Sequence, residues 1–166
     1  MLYVIVAALL IVLDQWVKIW TVSNFSGPGA GTMEFLPGVV ELTRVHNYGA
    51  GWSSFSGQRW FLAAVSVIVV GLVLFAVCKR LVRHPVGLVA ATLVTAGGIG
   101  NLIDRVRLGY VVDMFHFEFW PSYPVFNVAD ICIVIGGVLA VIYYLFLYEK
   151  YDARKRLDGD ADTPSE

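Results

Sequence analysis

Charge is scarce in this chain. Only 15% of its 166 residues are charged, while 58% are hydrophobic and 14% aromatic. An average soluble domain carries about 25% charged residues, and a domain this small buries too little of itself to hide so much apolar surface. An ordinary soluble globule is therefore excluded, and an integral membrane protein is expected. Nor is there an excess of positive charge. The net charge is −1, so composition gives no case for nucleic-acid binding, which needs a basic face. Cysteine is nearly missing: Cys78 and Cys132 both lie inside apolar runs, so neither a disulfide framework nor a cysteine metal cluster is expected. The three histidines, His46, His84 and His116, share no ligand spacing, and no metal or other cofactor is anticipated.

What the chain has is long apolar runs. Four approach the roughly 20 residues of a membrane helix, at about 2–20, 60–78, 86–103 and 127–148. The first is interrupted by Asp14, Gln15 and Lys18, the second contains no charge, and the third is rich in small residues. A barrel would need many alternating segments of about 10 residues, so the fold class expected is all-α with four transmembrane helices. The first run has no basic region ahead of it and no A-x-A-like site after it, so it is read as a retained span and not as a cleaved signal.

Lys and Arg set the orientation. Lys79, Arg80 and Arg83 follow the second span, and Lys150, Arg154, Lys155 and Arg156 follow the fourth. Both termini of a multi-pass protein are then expected on the cytoplasmic side. The tail, 151–166, reads as solvated and unstructured. On the other side, 21–59 holds Gly27, Pro28, Gly29, Gly31 and Pro37 and the β-favouring run Val39–Val45, which predicts a small outer β-structure. The connection 104–125 ends in the aromatic-rich stretch 114–125, suited to the membrane–water interface. A single domain, 1–150, is expected ahead of the tail.

With this topology the acids near the spans gather at one leaflet. Asp14 and Lys18 end the first span, Asn101, Asp104 and Arg105 end the third, Asp113 lies in the next connection, and Asn127 and Asp130 open the fourth. Intramembrane charges are costly and are usually paired or functional. Each also has a plainer reading. Asp14 and Lys18, at i and i+4, make a local ion pair with Lys18 snorkelling. Asn127 and Asp130 have the spacing of a helix cap. Asp104 and Arg105 make a neutral helix end, and Gly97, Gly98 and Gly100 allow close helix packing.

Asp113 and Asp130 are harder to explain away. They flank the aromatic stretch and can approach each other at the mouth of the last two spans. Two carboxyls a few Å apart do not both ionise easily. One then serves as a base to activate water and the other as an acid to protonate a leaving amine.

Five blocks stand in this order along the chain: Asp14-Gln-Trp-Val-Lys18, Asn47-Tyr-Gly-Ala50, Gly97-Gly-Ile-Gly-Asn101-Leu-Ile-Asp104-Arg105, Val111-Val-Asp113-Met114 and Phe126-Asn127-Val-Ala129-Asp130. Together they resemble bacterial lipoprotein signal peptidase (signal peptidase II), across all four spans. The resemblance implies an intramembrane aspartic endopeptidase. It would remove the signal peptide from prolipoproteins just before a cysteine carrying a diacylglyceryl group, with membrane lipid around it. Asp113 and Asp130 match the catalytic pair. Asp14, Lys18, Asn47, Gly49, Asn101, Asp104, Arg105, Asn127 and Ala129 match supporting positions. Among these, Asn101, Arg105 and Asn127 are expected to position the substrate backbone or the dyad. Asp14 and Asp104 are expected to hold the helices and Arg105. The segment 21–59 corresponds to a β-cradle and 114–125 to a substrate-covering element. Gly51 before Trp52 departs from the family pattern, in which Ala stands after Asn-x-Gly-Ala. A monomer is expected.

Two other classes compete. A proton-coupled carrier would use Asp14, Lys18, Asp104 and Asp130 as a relay, but the inner halves of the second and fourth spans carry no strongly ionisable residue to continue it. A non-catalytic assembly factor would tolerate Asp113→Asn.

Overall fold

A computed structural model describes residues 1–51 and 54–153. Four helices carry the chain. They are α1 (Leu2–Asn24), α2 (Arg59–Cys78), α3 (Pro85–Arg107) and α4 (Val128–Tyr143), the last running on as π-helix over Tyr144–Ala153. All four are long and apolar enough to cross a membrane, where only a helix satisfies every backbone group of such a run internally. α1 and α3 extend past their apolar stretches. Ser23 and Asn24 donate to the carbonyls of Ile19 and Trp20, keeping the last turn of α1 helical, and Arg105 and Arg107 lie in the last turn of α3, where cations suit the helix dipole.

α1 turns a polar face inward and an apolar face outward. On α1 the buried residues are Asp14, Lys18 and Thr21, while Val4, Leu9, Val12, Trp16 and Ile19 are exposed. α3 is central and packs on each of the other three helices. Its small residues permit this. A methyl at Gly97 would collide with the Ala129 carbonyl of α4, and one at Gly100 would lie 2.6 Å from Asp14 Oδ2.

A three-stranded antiparallel sheet caps one end. It consists of β1 (Met33–Leu36), β2 (Val40–Asn47) and β3 (Val111–Phe117), in that spatial order. The outer β-structure anticipated between the first two spans is present, and it recruits a third strand from the connection before α4. Residues 111–117 are thus sheet, because their alternating pattern pairs with β2 from Val40↔Phe117 to Asn47↔Val111. Leu42, Val112 and Met114 pack with Phe25 into an apolar cluster against Val17 and Trp20 of α1. Phe126 exchanges backbone hydrogen bonds with Phe115 at 2.8 and 3.0 Å. That bridge brings Asn127, at the start of α4, alongside Asp113 on β3.

At the opposite end the chain differs from the sequence reading. Tyr151–Ala153 continue the helix and are not free tail. Asp152 is buried, and its Oδ2 accepts from the N–H groups of Arg83 and His84 at 3.0 and 3.1 Å and from the Tyr143 hydroxyl at 2.5 Å. It is held because it satisfies backbone donors of the connector that leads into α3. Residues 154–166, with most of the anticipated tail, and Trp52 lie outside the described residues.

Candidate active site

Asp113 is 1% exposed and faces two amides. Its Oδ1 accepts from Asn127 Nδ2 at 2.6 Å and its Oδ2 from Asn47 Nδ2 at 2.9 Å. Asn47 is held in turn, since its Oδ1 accepts the Gly49 N–H at 2.9 Å. Asp130 sits in the first turn of α4. Its Oδ2 accepts the Asn127 N–H at 3.2 Å while Asn127 Oδ1 accepts the Asp130 N–H at 2.9 Å. This is a complete capping box, so the plainer reading of these two residues is realised. Its other oxygen accepts from Asn101 Nδ2 at 2.8 Å. Asn127 therefore bonds both carboxylates, one through its side chain and one through its backbone.

A second layer fixes the amides. Asn101 Oδ1 accepts from Asn127 Nδ2 at 3.1 Å and from Lys18 Nζ at 3.0 Å. Lys18 also meets Asp14 at 2.9 Å and Asp104 at 3.1 Å. The i,i+4 pair foreseen in α1 exists, but Lys18 does not snorkel. It is 3% exposed, because two carboxylates and an amide oxygen from α1 and α3 outbid the interface for its three donors. Asp14 Oδ1 accepts the Ala129 N–H at 2.9 Å, tying α1 to the start of α4. Asp104 does not bond Arg105. It accepts the Val112 N–H of β3 at 3.0 Å, while Arg105 reaches the Gly49 carbonyl at 3.0 Å. Side chains on one helix that stand at adjacent positions point apart, so Asp104 turns toward α1 and Arg105 toward the β2–α2 connection.

These groups open on a cavity of about 380 Å³ whose walls include Asn47, Asn101, Arg105, Asp113 and Asp130 beside Leu62, Val65, Tyr123 and Ile133. Burial, reinforced by the nearby charge of Asp130, pushes the Asp113 carboxyl up to about 7, against the opposing pull of the Asn47 and Asn127 amides. Asp113 thus retains a proton where a free carboxyl would not. Among the described residues, no group of three or more His, Cys, Asp or Glu side chains converges to hold a metal ion.

The structure brings every anticipated site residue into this one region. It adds two. Gln15 Nε2 lies 3.1 Å from Asp104 Oδ1 and 3.2 Å from both Asp14 Oδ2 and the Gly100 carbonyl, and its polarity inside an apolar run was the available signal. Tyr123 supplies cavity wall from the aromatic stretch, where it was one aromatic among many.

Four membrane-length helices, a capping sheet and a carboxylate pair at a cavity, one buried and one half-buried, define a multi-pass membrane protein of enzymatic build. Known proteins narrow the class. A sequence model for Signal peptidase (SPase) II matches residues 6–146. The chain is 44% identical over 148 residues to the lipoprotein signal peptidase of Enterococcus faecalis, covering 89% of each. It is 42% identical to that of Latilactobacillus sakei, covering 90% of this chain and 97% of the other. Its fold is similar to that of a bacterial membrane enzyme solved by the in meso method at 2.3 Å resolution, with a TM-score of 0.79, 27% identity, and 99% and 93% coverage of the two chains. The chain belongs to the signal peptidase II family, and it is a peptidase of the aspartic class.

Proposed function

We propose that this peptidase removes the signal peptide from diacylglyceryl-modified prolipoproteins, cutting just before the lipidated cysteine, with Asp113 and Asp130 as the catalytic pair. The observation that carries the reading is the linkage Asp113–Asn127–Asp130 at the wall of a cavity that is otherwise largely apolar. The relatives' name, lipoprotein signal peptidase, supports the substrate class.

The pair holds one proton. The ionised carboxylate removes a proton from water as its oxygen attacks the scissile carbonyl carbon. The protonated partner then passes its proton to the leaving amide nitrogen as the C–N bond breaks, which regenerates the singly protonated pair. Asn101 and Asn127 keep the two carboxyls oriented, and Lys18 anchors Asn101 from behind. Asp14, Asp104 and Ala129 hold α1, α3, β3 and α4 in register around them. Arg105, fixed on the Gly49 carbonyl, is the cation closest to hand for a substrate carbonyl. No metal or other cofactor enters this chemistry.

The basic loops support cytoplasmic termini and an active site at the outer leaflet of the cytoplasmic membrane, where a lipid-anchored substrate arrives laterally. The chain acts as a monomer, as one domain over 1–150, with no nucleic-acid partner. In a Cys78→Ala, Cys132→Ala background, impermeant maleimide on intact cells should label Gly29→Cys, and should label Lys79→Cys only after permeabilisation.

The decisive experiment is cleavage of a diacylglyceryl-modified prolipoprotein by the full chain in detergent. Asp113→Asn and Asp130→Asn are each expected to lose at least about a hundredfold in rate while melting near the wild-type temperature. Retention of a tenth of the activity by either variant would overturn the pair. EDTA should leave the wild type unaffected.

A further inference from the structure

One wall of the active-site cavity belongs to neither a helix nor the sheet. Tyr123, Pro124 and Val125, from the stretch between β3 and α4, line it together with Asp113 and Asp130. This stretch is fastened at its two ends by backbone bonds, Glu118 N–H to the Val39 carbonyl at 3.1 Å and Phe126 to Phe115. In between it makes a turn, closed by Tyr123 N–H on the Trp120 carbonyl at 2.9 Å. The rings of Phe119 and Tyr123 pack 5.0 and 5.4 Å from that of Phe117.

His116 of β3 ties this turn to the sheet. Its Nδ1 lies 2.8 Å from Oε1 of Glu41, its cross-strand neighbour on β2. Its Nε2 lies 3.5 Å from the Pro121 carbonyl oxygen, at the outer limit of hydrogen-bond reach. Both neighbours only accept. A carbonyl oxygen has no proton to give, and the Glu41 carboxyl is held below its ordinary range, first by His116 and then by Thr32. A neutral imidazole has one N–H and one lone pair, whereas the imidazolium donates from both nitrogens. The two bonds therefore coexist only when His116 carries its proton, and without it a lone pair faces an acceptor oxygen.

The charged side chains on the elements around His116 are acidic. Besides Glu41 they are Glu34, opposite Glu41 on β1, and Glu118, two positions further along the chain. Arg44 of β2 is engaged with the Val22 and Phe25 carbonyls and with His46. Asp113, three positions back on β3, turns to the other face of the strand, toward Asn47 and Asn127.

We infer that His116, as the imidazolium, clasps residues 118–125 to the sheet and so positions Tyr123 at the wall of the catalytic cavity, and that loss of its proton opens the clasp and weakens the hold on substrate. His116 is a positioning residue, acting through that wall, and the inference rests on the reading of this cavity as the catalytic one.

The test is kcat and KM of the full chain in detergent, on a diacylglyceryl-modified prolipoprotein, between about pH 5.5 and 8, the range in which histidine changes charge. In the wild type KM should rise about fivefold toward the alkaline end, the worth of one hydrogen bond. His116→Gln should hold KM at the high value throughout. Glu41→Gln should hold it at the low value throughout, because the amide introduced there donates to Nδ1 of a neutral imidazole and leaves its Nε2–H for Pro121. Damage to the fold does not move two bonded positions in opposite directions. The fall of kcat above about pH 7 should persist in both variants, since it belongs to Asp113. Nitrogen-15 spectra of the histidine-labelled chain should show both ring nitrogens of His116 protonated at the acidic end in the wild type, and the Nε2–H tautomer at the alkaline end in Glu41→Gln. A wild-type KM that does not change with pH would overturn the inference. So would a KM in His116→Gln that still follows pH, a KM in Glu41→Gln that rises as in the wild type, or the Nδ1–H tautomer in that variant. Failure of the underlying reading shows separately: cleavage retained by Asp113→Asn would overturn that reading and this inference with it, whereas a flat wild-type KM beside an inactive Asp113→Asn overturns this inference alone.

Discussion

The two ends of the bundle are held together by opposite means. At the end that bears the sheet, α1 meets α3 and α4 through Asp14, Lys18, Asn101 and Asp104, all buried and mutually bonded. Toward the far end, α3 meets α4 through small residues. A methyl at Gly136 would lie 3.0 Å from the Ala90 carbonyl, and one at Gly87 would lie 3.1 Å from the Tyr143 ring. Lipid removes the hydrophobic drive between helices, which leaves close packing and polar bonds as the available attractions. The polar network that crosses from α1 to α3 and α4 is confined to the end that holds the two carboxylates. At the far end the α3–α4 contact is made by packing, and the one buried carboxylate, Asp152, bonds the α2–α3 connector and Tyr143 instead of a charged partner.

Substitutions can break this contrast, and Lys18 should show the largest effect. Lys18→Met leaves Asp14 and Asp104 buried with no cation between them. A loss of about 3–5 kcal/mol is expected, read as a fall in melting temperature in detergent, with cleavage lost alongside. Replacing Asp14 and Asp104 by Asn in the same chain should restore much of the stability but not the activity.

Gly97→Val should come next, at about 1–3 kcal/mol, because the atom it strikes is a backbone carbonyl that cannot rotate away. Here stability and activity should fall together, since Ala129 is adjacent to Asp130. Asp152→Ala should cost about 1–3 kcal/mol by stranding the donors of Arg83 and His84. Its catalytic rate per folded molecule should stay at the wild-type value. A rate that dropped with intact folding would join the two ends functionally and dissolve the contrast.

The smallest effect concerns pH. Asp113 binds its proton more tightly in the folded chain, about 7 against 3.8. Its contribution to stability is therefore complete below 3.8 and is lost as pH rises through about 7. Melting temperature should decline across that window, and Asp113→Asn should flatten the decline. Activity should fall above about pH 7 as the pair loses its shared proton. Asn47→Ala removes a donor that favours the ionised form, so the alkaline limb should move upward by less than about one pH unit. A downward shift would contradict the placement of that proton.

Much of the site was legible before any coordinates. The acids stand out because so few charges interrupt the apolar runs. The capping box at Asn127 and the Asp14–Lys18 pair are local, set by helical spacing alone. Less legible was every partnership across the chain. Asn101 and Asn127 are 26 positions apart, and each could have capped, packed or faced substrate. That Asn127 bonds both carboxylates depends on the Phe115–Phe126 bridge, which no periodicity announces. Gln15 joined the network for the same reason, through α3 atoms 85 and 89 positions away.

By itself, then, the sequence determined the four spans, the end of the bundle where the acids collect, and the local caps and pairs, because hydropathy and helical period act over a few residues. The tertiary structure decided that 111–117 becomes a third strand, that Lys18 turns inward instead of snorkelling, that Asp104 supports β3 and not Arg105, and that Asp152 locks the far end. Each of these is a choice among several possible partners for one polar group. In a low-dielectric interior that choice is made by whichever donor or acceptor the packing of the helices brings within 3 Å.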